Sequence, residues 1–439
     1  MSPAPRSAAP RLDRMTRSNR SVHLDRHAST HKLLASIFRV GEWCGTILTL
    51  MLISDAILPL FLHSGPNNLV ATPATPVERL SYWLAYAFTL SRFLVYPRQI
   101  YRAAIRNPFV LGVVVIAALS ILWSVDPATS LRRTFAFGMW TLFGYYLAAR
   151  YRTVELLHLL AIALGLLAVM SLASAIAVPD YGREVGFDNG AWRGVFTAKN
   201  TLGEMMLLAA VVFGILAKGG GRLRWPAICG LLLAIPLIYF AKATAALLIV
   251  FVLLFTIPVV LTFRKNNAAA ALLLCLMLAV SAAASVVIME QDAVLSVLGK
   301  DATLTGRTVL WAAVVPRIEE RPVLGYGYDA FWVSTGVESQ RVRTAVGWYT
   351  PHSHNGLLDT WLDLGLIGVL SLLAAYILAL RRSWISLRST GGVDGVWAMA
   401  FLVMLFLGNT TESSVSQSYL IWTVFVTVAS MQFAPPRRA

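Results

Sequence analysis

Twelve stretches of this chain are apolar over a length that crosses, or nearly crosses, a lipid bilayer as a helix. Their approximate limits are 46–62, 80–96, 109–124, 134–149, 154–178, 201–217, 225–241, 243–263, 268–288, 357–380, 394–409 and 418–434. A helix rises about 1.5 Å per residue, so about 20 residues cover the roughly 30 Å of hydrocarbon. Composition agrees. Of the 439 residues, 57% are hydrophobic and 13% charged, against about 45–50% and about 25% in soluble domains. The expectation is an all-α integral membrane protein of about twelve transmembrane helices. A soluble domain, a disordered chain and a disulfide-stapled secreted module are excluded. Cys44, Cys229 and Cys275 lie in or beside apolar runs without metal-ligand spacing and read as small buried hydrophobes.

A net charge of +15 would suit nucleic acid in a soluble protein. In a membrane chain it marks cytoplasmic segments that face anionic lipid. Residues 1–45 are a basic, Ser- and Pro-rich stretch without hydrophobic period, expected to be a disordered cytoplasmic tail. No A-x-A-like site follows the first apolar run, which therefore reads as an uncleaved first span. With the tail inside, the inner segments hold 23 of the 37 Lys/Arg. The outer segments hold 13, six of them in one long loop. Both termini, including residues 435–439, are thus expected in the cytoplasm. Helices 1–9 would occupy 46–288, with a shorter outer loop near 179–200. A large outer loop would occupy 289–356, and helices 10–12 would occupy 357–434. The large loop carries six basic and seven acidic residues, so it is not a nucleic-acid patch. Residues 306–321 have helical character. A loop of this length in a compact protein is usually functional.

The strongest local signal is Pro351-His352-Ser353-His354-Asn355-Gly356, leading into a span. At a helix N-terminus the macrodipole favours a neutral imidazole, which accepts a proton from an attacking hydroxyl. Asn355, Asp359 and Asp363 share one helix face, where an acid can orient a substrate or a histidine. A helix-capping His/Asn pair with an interfacial acidic patch is the plainer alternative. His352 and His354 are also a metal-type pair, but they lack a third nearby His or Cys. Arg307 in Gly306-Arg307-Thr308-Val309-Leu310-Trp311 and Arg193 in Trp192-Arg193-Gly194 suit a phosphate group bidentately. Lys242, in a very short turn between two runs, and Lys199 add positive charge on the outer side. Each of these cations can equally be a snorkelling interfacial group. Glu204 and Glu412 are near-membrane acids open to the same plain reading. No P-loop, HExxH or GxSxG occurs.

At these residues the chain resembles the O-antigen ligase and bacterial polysaccharide polymerase superfamily. The family's pattern is a His, then Asn, Ser or Gln, nine residues, Gly, two residues, and Gly, Thr or Tyr. Here it reads His354-Asn355, nine residues, Gly365, Leu366-Ile367, Gly368. The GRxxxW and PxxGxG runs within 306–327 look like the start of the same loop. Trp311 stands where ligases of the family often have Leu, which leans toward the polymerase branch. Residues 192–203 resemble a further family motif, with Ala198 where a His often precedes Lys-Asn.

The resemblance implies a metal-independent, inverting membrane glycosyltransferase of the bacterial inner membrane, with its active site in the large periplasmic loop and no cofactor. The donor would be an oligosaccharide on undecaprenyl pyrophosphate. The acceptor would be a lipid-linked glycan (polymerase) or lipid A–core (ligase); membrane lipids are the other partner, and nucleic acid is not one. His354 would be the base, Arg307, Arg193 and Lys242 would hold the pyrophosphate, and Asn355, Asp359 and His352 would orient the acceptor. The rival from another class is a transporter or flippase of the same lipid-linked glycan. The absence of a sequence repeat and the few mid-span charges weigh against it.

Overall fold

Each apolar run that falls on described residues is helical over most or all of its described length. The structure, a computed structural model, describes residues 36–54, 56, 76–185, 190–221, 223–263, 306–333, 336–390, 392–417 and 419–433, with isolated positions between 268 and 279. The tail up to residue 35, the end of the first span, nearly all of the span at 268–288, the large loop up to residue 305 and residues 434–439 lie outside it. The last ten residues of the expected disordered tail differ from expectation, because helix α1 covers 36–52. Residues 49–439 form one compact unit, which holds every site residue named above.

After α1 come α2 (Pro76–Val95), α3 (Pro97–Ala104), α4 (Pro108–Ser120), α5 (Pro127–Arg150) and α6 (Thr153–Ala177). Then follow α7 (Lys199–Gly219), α8 (Arg224–Phe240), α9 (Thr244–Phe263), α10 (Arg307–Glu320) and α11 (Val337–Val346). The chain closes with α12 (Gly356–Thr390), α13 (Val393–Thr411) and α14 (Tyr419–Ser430). Local chemistry sets several of these starts. Proline opens α3, α4 and α5, where its missing N–H costs nothing. Asp126 caps α5 by accepting from Thr129 N at 3.1 Å. The expected helical character of 306–321 is realised as α10. No strand forms among the described residues beyond one isolated bridge, Arg183 to Trp192.

The expectation of twelve spans is met only in part. Among the described residues, four helices (α6, α7, α12 and α13) are long and apolar enough to cross a bilayer alone. The pair α3 and α4, bent by 94°, would make a fifth. Charges interrupt two of the others, since α2 carries Glu78, Arg79 and Arg92 and α5 carries Arg132, Arg133 and Arg150, while α8, α9 and α14 are apolar but short over their described residues. The cysteines also depart from expectation, since all three are exposed. When the surrounding medium is apolar, a small hydrophobe gains little by turning inward.

Two features position the site. The first is α13, buried along nearly its whole length and packed against α12, α7 and α9. The second is a break in α12 at Gly365, where φ is 65° and ψ is −169°. A Cβ there would collide with the Val323 backbone. The Pro322-to-Gly327 strap lies along this break. Tyr326 N donates to Leu362 O at 2.7 Å, Gly327 N to Asp363 O at 2.9 Å, and Leu366 N to Pro322 O at 2.9 Å. The backbone groups freed by the kink are thereby satisfied. An apolar core of Leu310, Val314, Ile318, Tyr326, Phe331, Trp332, Val342 and Leu362 binds the strap, α10 and α11 to α12.

Candidate active site

Glu412 directly follows α13, so the central helix delivers its carboxylate to one end of the molecule. Three helix N-termini meet it there. Asn200, in the first turn of α7, donates Nδ2–H to Oε1 at 2.9 Å. Arg307, the first residue of α10, places Nη2 at 2.8 Å from the same oxygen. His354, two residues before α12, places Nδ1 at 2.9 Å from Oε2. Burial works to raise the Glu412 carboxyl. The His354 hydrogen bond, and the charges of His354 and Arg307, outweigh it and hold the group below the ordinary carboxylate range. An ionised carboxylate only accepts, so His354 Nδ1 must donate. That fixes the tautomer in which a neutral ring keeps its free lone pair on Nε2.

The loop that carries His354 is tightly specified. His354 itself adopts a left-handed backbone, with φ of 55°, a costly conformation that the surroundings must impose. Asp359, fully buried, accepts Ser353 N at 3.0 Å and Trp332 Nε1 at 2.8 Å on Oδ1. Its other oxygen accepts Ser413 Oγ, the residue after Glu412. One buried carboxyl thus ties the His354 loop to the Glu412 segment. Trp311 Nε1 donates to Ser353 O at 2.9 Å, one turn after Arg307. The GRxxxW spacing therefore puts Arg307 on Glu412 and Trp311 on the His354 loop from one face of α10. Asn355 Oδ1 accepts Leu357 N at 3.0 Å and Leu358 N at 3.2 Å, which makes Asn355 the cap of α12. His352 Nδ1 lies 3.2 Å from His354 N and 3.3 Å from Ser413 Oγ. Burial, then the neighbouring His354, push the His352 imidazole down to about 3, with Glu412 working the other way.

The other expected pyrophosphate ligands lie in the loop before α7 and in the turn between α8 and α9. Arg193 donates Nε–H to Tyr181 O at 2.9 Å, and no hydrogen bond or ion pair links it to Glu412 among the described residues. Arg183 of the same loop donates to Ala175 O at 3.0 Å and lies over the Trp192 ring. Lys242 is in the left-handed region, with φ of 53°, in the turn between α8 and α9. The next residue, Ala243, packs on Gly203, one turn along α7 from Asn200. His352, His354 and Glu412 have ligand-type atoms within 4.8 Å of one another. The third metal-type ligand that the sequence lacked is thus Glu412. The Arg307 guanidinium on that carboxylate, however, sets a positive charge beside any cation placed there.

Glu412 and Asn200 are the residues that sequence reasoning did not join to the site. Their separations from their partners are long: 58 residues between His354 and Glu412, and 212 between Asn200 and Glu412. The available signal was an acid directly after an apolar span.

This geometry defines a multi-helix membrane protein whose candidate site residues His354, Arg307, Asn200 and Glu412 gather at one end of its helices. Residues 205–373 match the family described as O-antigen ligase. Over 94 residues the chain is 34% identical to the exopolysaccharide production protein ExoQ of Rhizobium meliloti (strain 1021). That stretch is 20% of this chain and spans about a fifth of the relative, 21% of its length. Both comparisons bear out the resemblance to the O-antigen ligase and polysaccharide polymerase superfamily. The matched range includes Arg307 and His354 but stops short of Asn200 and Glu412.

Proposed function

We propose that this protein transfers a glycan from undecaprenyl pyrophosphate to an acceptor hydroxyl at the periplasmic face of the bacterial inner membrane. The observation that carries the reading is the Glu412 carboxylate bonded at once to His354 Nδ1 and Arg307 Nη2, at 2.9 and 2.8 Å. The acceptor hydroxyl attacks the anomeric carbon. The bond from that carbon to the pyrophosphate oxygen breaks, and the hydroxyl proton passes to His354 Nε2. Attack opposite the leaving group inverts the anomeric centre. Undecaprenyl pyrophosphate departs with the extra negative charge. Arg307, the N-termini of α7, α10 and α12, and Arg193 and Lys242 form the positive surroundings that such a leaving group needs. Glu412 holds the imidazole in its reactive tautomer, and no metal is required for the step. Asp359 and Asn355 hold the loop from behind.

The basic inner segments support cytoplasmic termini. Residues 200, 242, 307, 354 and 412 all fall in segments expected on the outer side, in agreement with a periplasmic site. Polymerisation of repeat units is the preferred form, supported by Trp311 and by the name of the ExoQ relative. Ligation to lipid A–core is the second form, supported by the description of the matching family. The test is reaction of the purified protein with lipid-linked repeat units alone, and then with lipid A–core added. Longer lipid-linked glycan in the first reaction supports polymerase. Product only in the second supports ligase. An absence of transfer in both sinks the reading.

A further inference from the structure

A second polar cluster lies at the same end of the helices, away from Glu412. Arg133, in the second turn of α5, places Nη1 at 3.0 Å from Asp329 Oδ2 and 3.3 Å from the Tyr419 hydroxyl. The Arg133 side chain stays 44% exposed, whereas that of Asp329 is 15% exposed. Asp329 is held with φ of 51°, directly after Tyr328. Tyr328 is pinned on both sides: its N–H donates to Ser120 Oγ at 2.9 Å and its carbonyl accepts Ser130 Oγ at 2.8 Å. Aromatic rings flank the pair. Tyr86 lies 4.9 Å from Trp140 and 5.4 Å from Phe135 by ring centroids, and Tyr419 lies 6.1 Å from Trp140. Two buried polar atoms at this cluster, Trp140 Nε1 and Asp363 Oδ1, have no hydrogen-bond partner among the described residues.

These groups have no part in the proton transfer above, yet they adjoin its scaffold. Asp329 belongs to the segment that continues the strap over Gly365, and Asp363 lies one turn beyond Asp359 on α12. Charge chooses the class of ligand. At the Glu412 site the surroundings are positive and suit an anion. Here Arg133 is paired with Asp329 and the neighbouring Arg132 faces Asp126, so an anion would meet two carboxylates beside the two cations. A half-exposed donor, a neighbouring acceptor and the accessible rings of Phe135, Tyr86 and Tyr419 instead match sugar hydroxyls and the apolar face of a pyranose ring.

We propose that Arg133, Asp329 and Tyr419, with Tyr86 beside them, form a subsite that binds a sugar of the acceptor glycan while its hydroxyl reacts at His354. The proposal rests on the transferase reading, and the two fail separately. The probe is the repeat-unit oligosaccharide released from its lipid by mild acid. Its binding to the full-length protein in nanodiscs is followed by tryptophan fluorescence, and its inhibition of polymerisation by product length. The wild type should bind it saturably. Arg133→Gln and Tyr419→Phe should each weaken binding and inhibition at least tenfold while the affinity for the intact donor stays within twofold. Tyr419→Phe removes one oxygen and guards against misfolding, and thermal melting checks both variants. Equal binding by wild type and both variants, or no binding by the wild type, would overturn the subsite and leave the transferase reading intact. A wild type that transfers nothing from the lipid-linked donor would overturn that reading instead.

Discussion

At the scale of single residues, the proposed chemistry rests on a histidine whose proton is directed by a carboxylate. Glu412→Gln keeps the shape but lets the amide donate, so the tautomer of His354 is no longer fixed. Transfer should fall at least about tenfold, with donor affinity nearly unchanged; wild-type turnover would remove Glu412 from the mechanism. Arg307→Ala should abolish transfer while the protein still inserts. Arg307→Lys should recover only part of it, because an ammonium cannot make the planar fork. Full activity in both variants would show that the Arg307 charge is merely interfacial. His352 makes a different, pH-dependent prediction. Held neutral down to about 3 in the fold, it becomes protonated below about 6.5 only in the unfolded chain. Its depressed value therefore costs stability as pH falls through that range. The melting temperature should drop between about pH 7 and 4.5, and drop less in His352→Gln, as measured by thermal unfolding in detergent. An equal drop in the two proteins would place the acid sensitivity elsewhere.

At the scale of elements, the broken helix is the most exacting feature. Gly365 and Gly325 both have positive φ, 65° and 69°, and each lies against the other segment's backbone. Gly365→Ala must bear the strain of a left-handed alanine, about 1–3 kcal/mol, and a backbone collision as well. Its melting temperature should fall well below that of Gly214→Ala in α7, whose Cβ would have no neighbour within 4 Å. Equal melting temperatures would mean that the strap does not lock the kink. The helices themselves were legible in the sequence, because an apolar run needs no partner to declare itself. Arg307 was legible as a basic group of the outer loop, but Trp311, one helical turn on, was read only as a branch marker and not as the anchor of the His354 loop. The kink was hidden: Gly365 looked like one position of a motif, and its strained φ depends on a strap forty residues earlier. Glu412 was hidden for the same reason, as an acid at a helix end gives no sign of which helix N-termini converge on it. The plain reading of Asn355 as a cap matches its bonds.

At the scale of the whole molecule, the functional claim requires that one end of the bundle face the periplasm. Single-cysteine variants at residues 264 and 437 should label only after lysis, and one at the exposed residue 341 should label in intact spheroplasts. The reverse pattern would invert the topology and separate the site from its substrates. The opposite end has its own lock. Arg382 donates to Ala429 O at 2.7 Å and Arg106 to Ser430 O at 3.0 Å, so two cations cap the C-terminus of α14. That end carries none of the proposed reacting groups, and the central claim concerns which histidine at the other end takes the proton. The measurement is polymer formation by the purified protein from a lipid-linked donor, comparing wild type, His354→Ala and His352→Ala at matched protein levels. If His354 is the base, His354→Ala loses at least about a hundredfold, the low end for a general base, and His352→Ala loses far less. Near wild-type turnover in His354→Ala, or a larger loss in His352→Ala, would contradict that assignment.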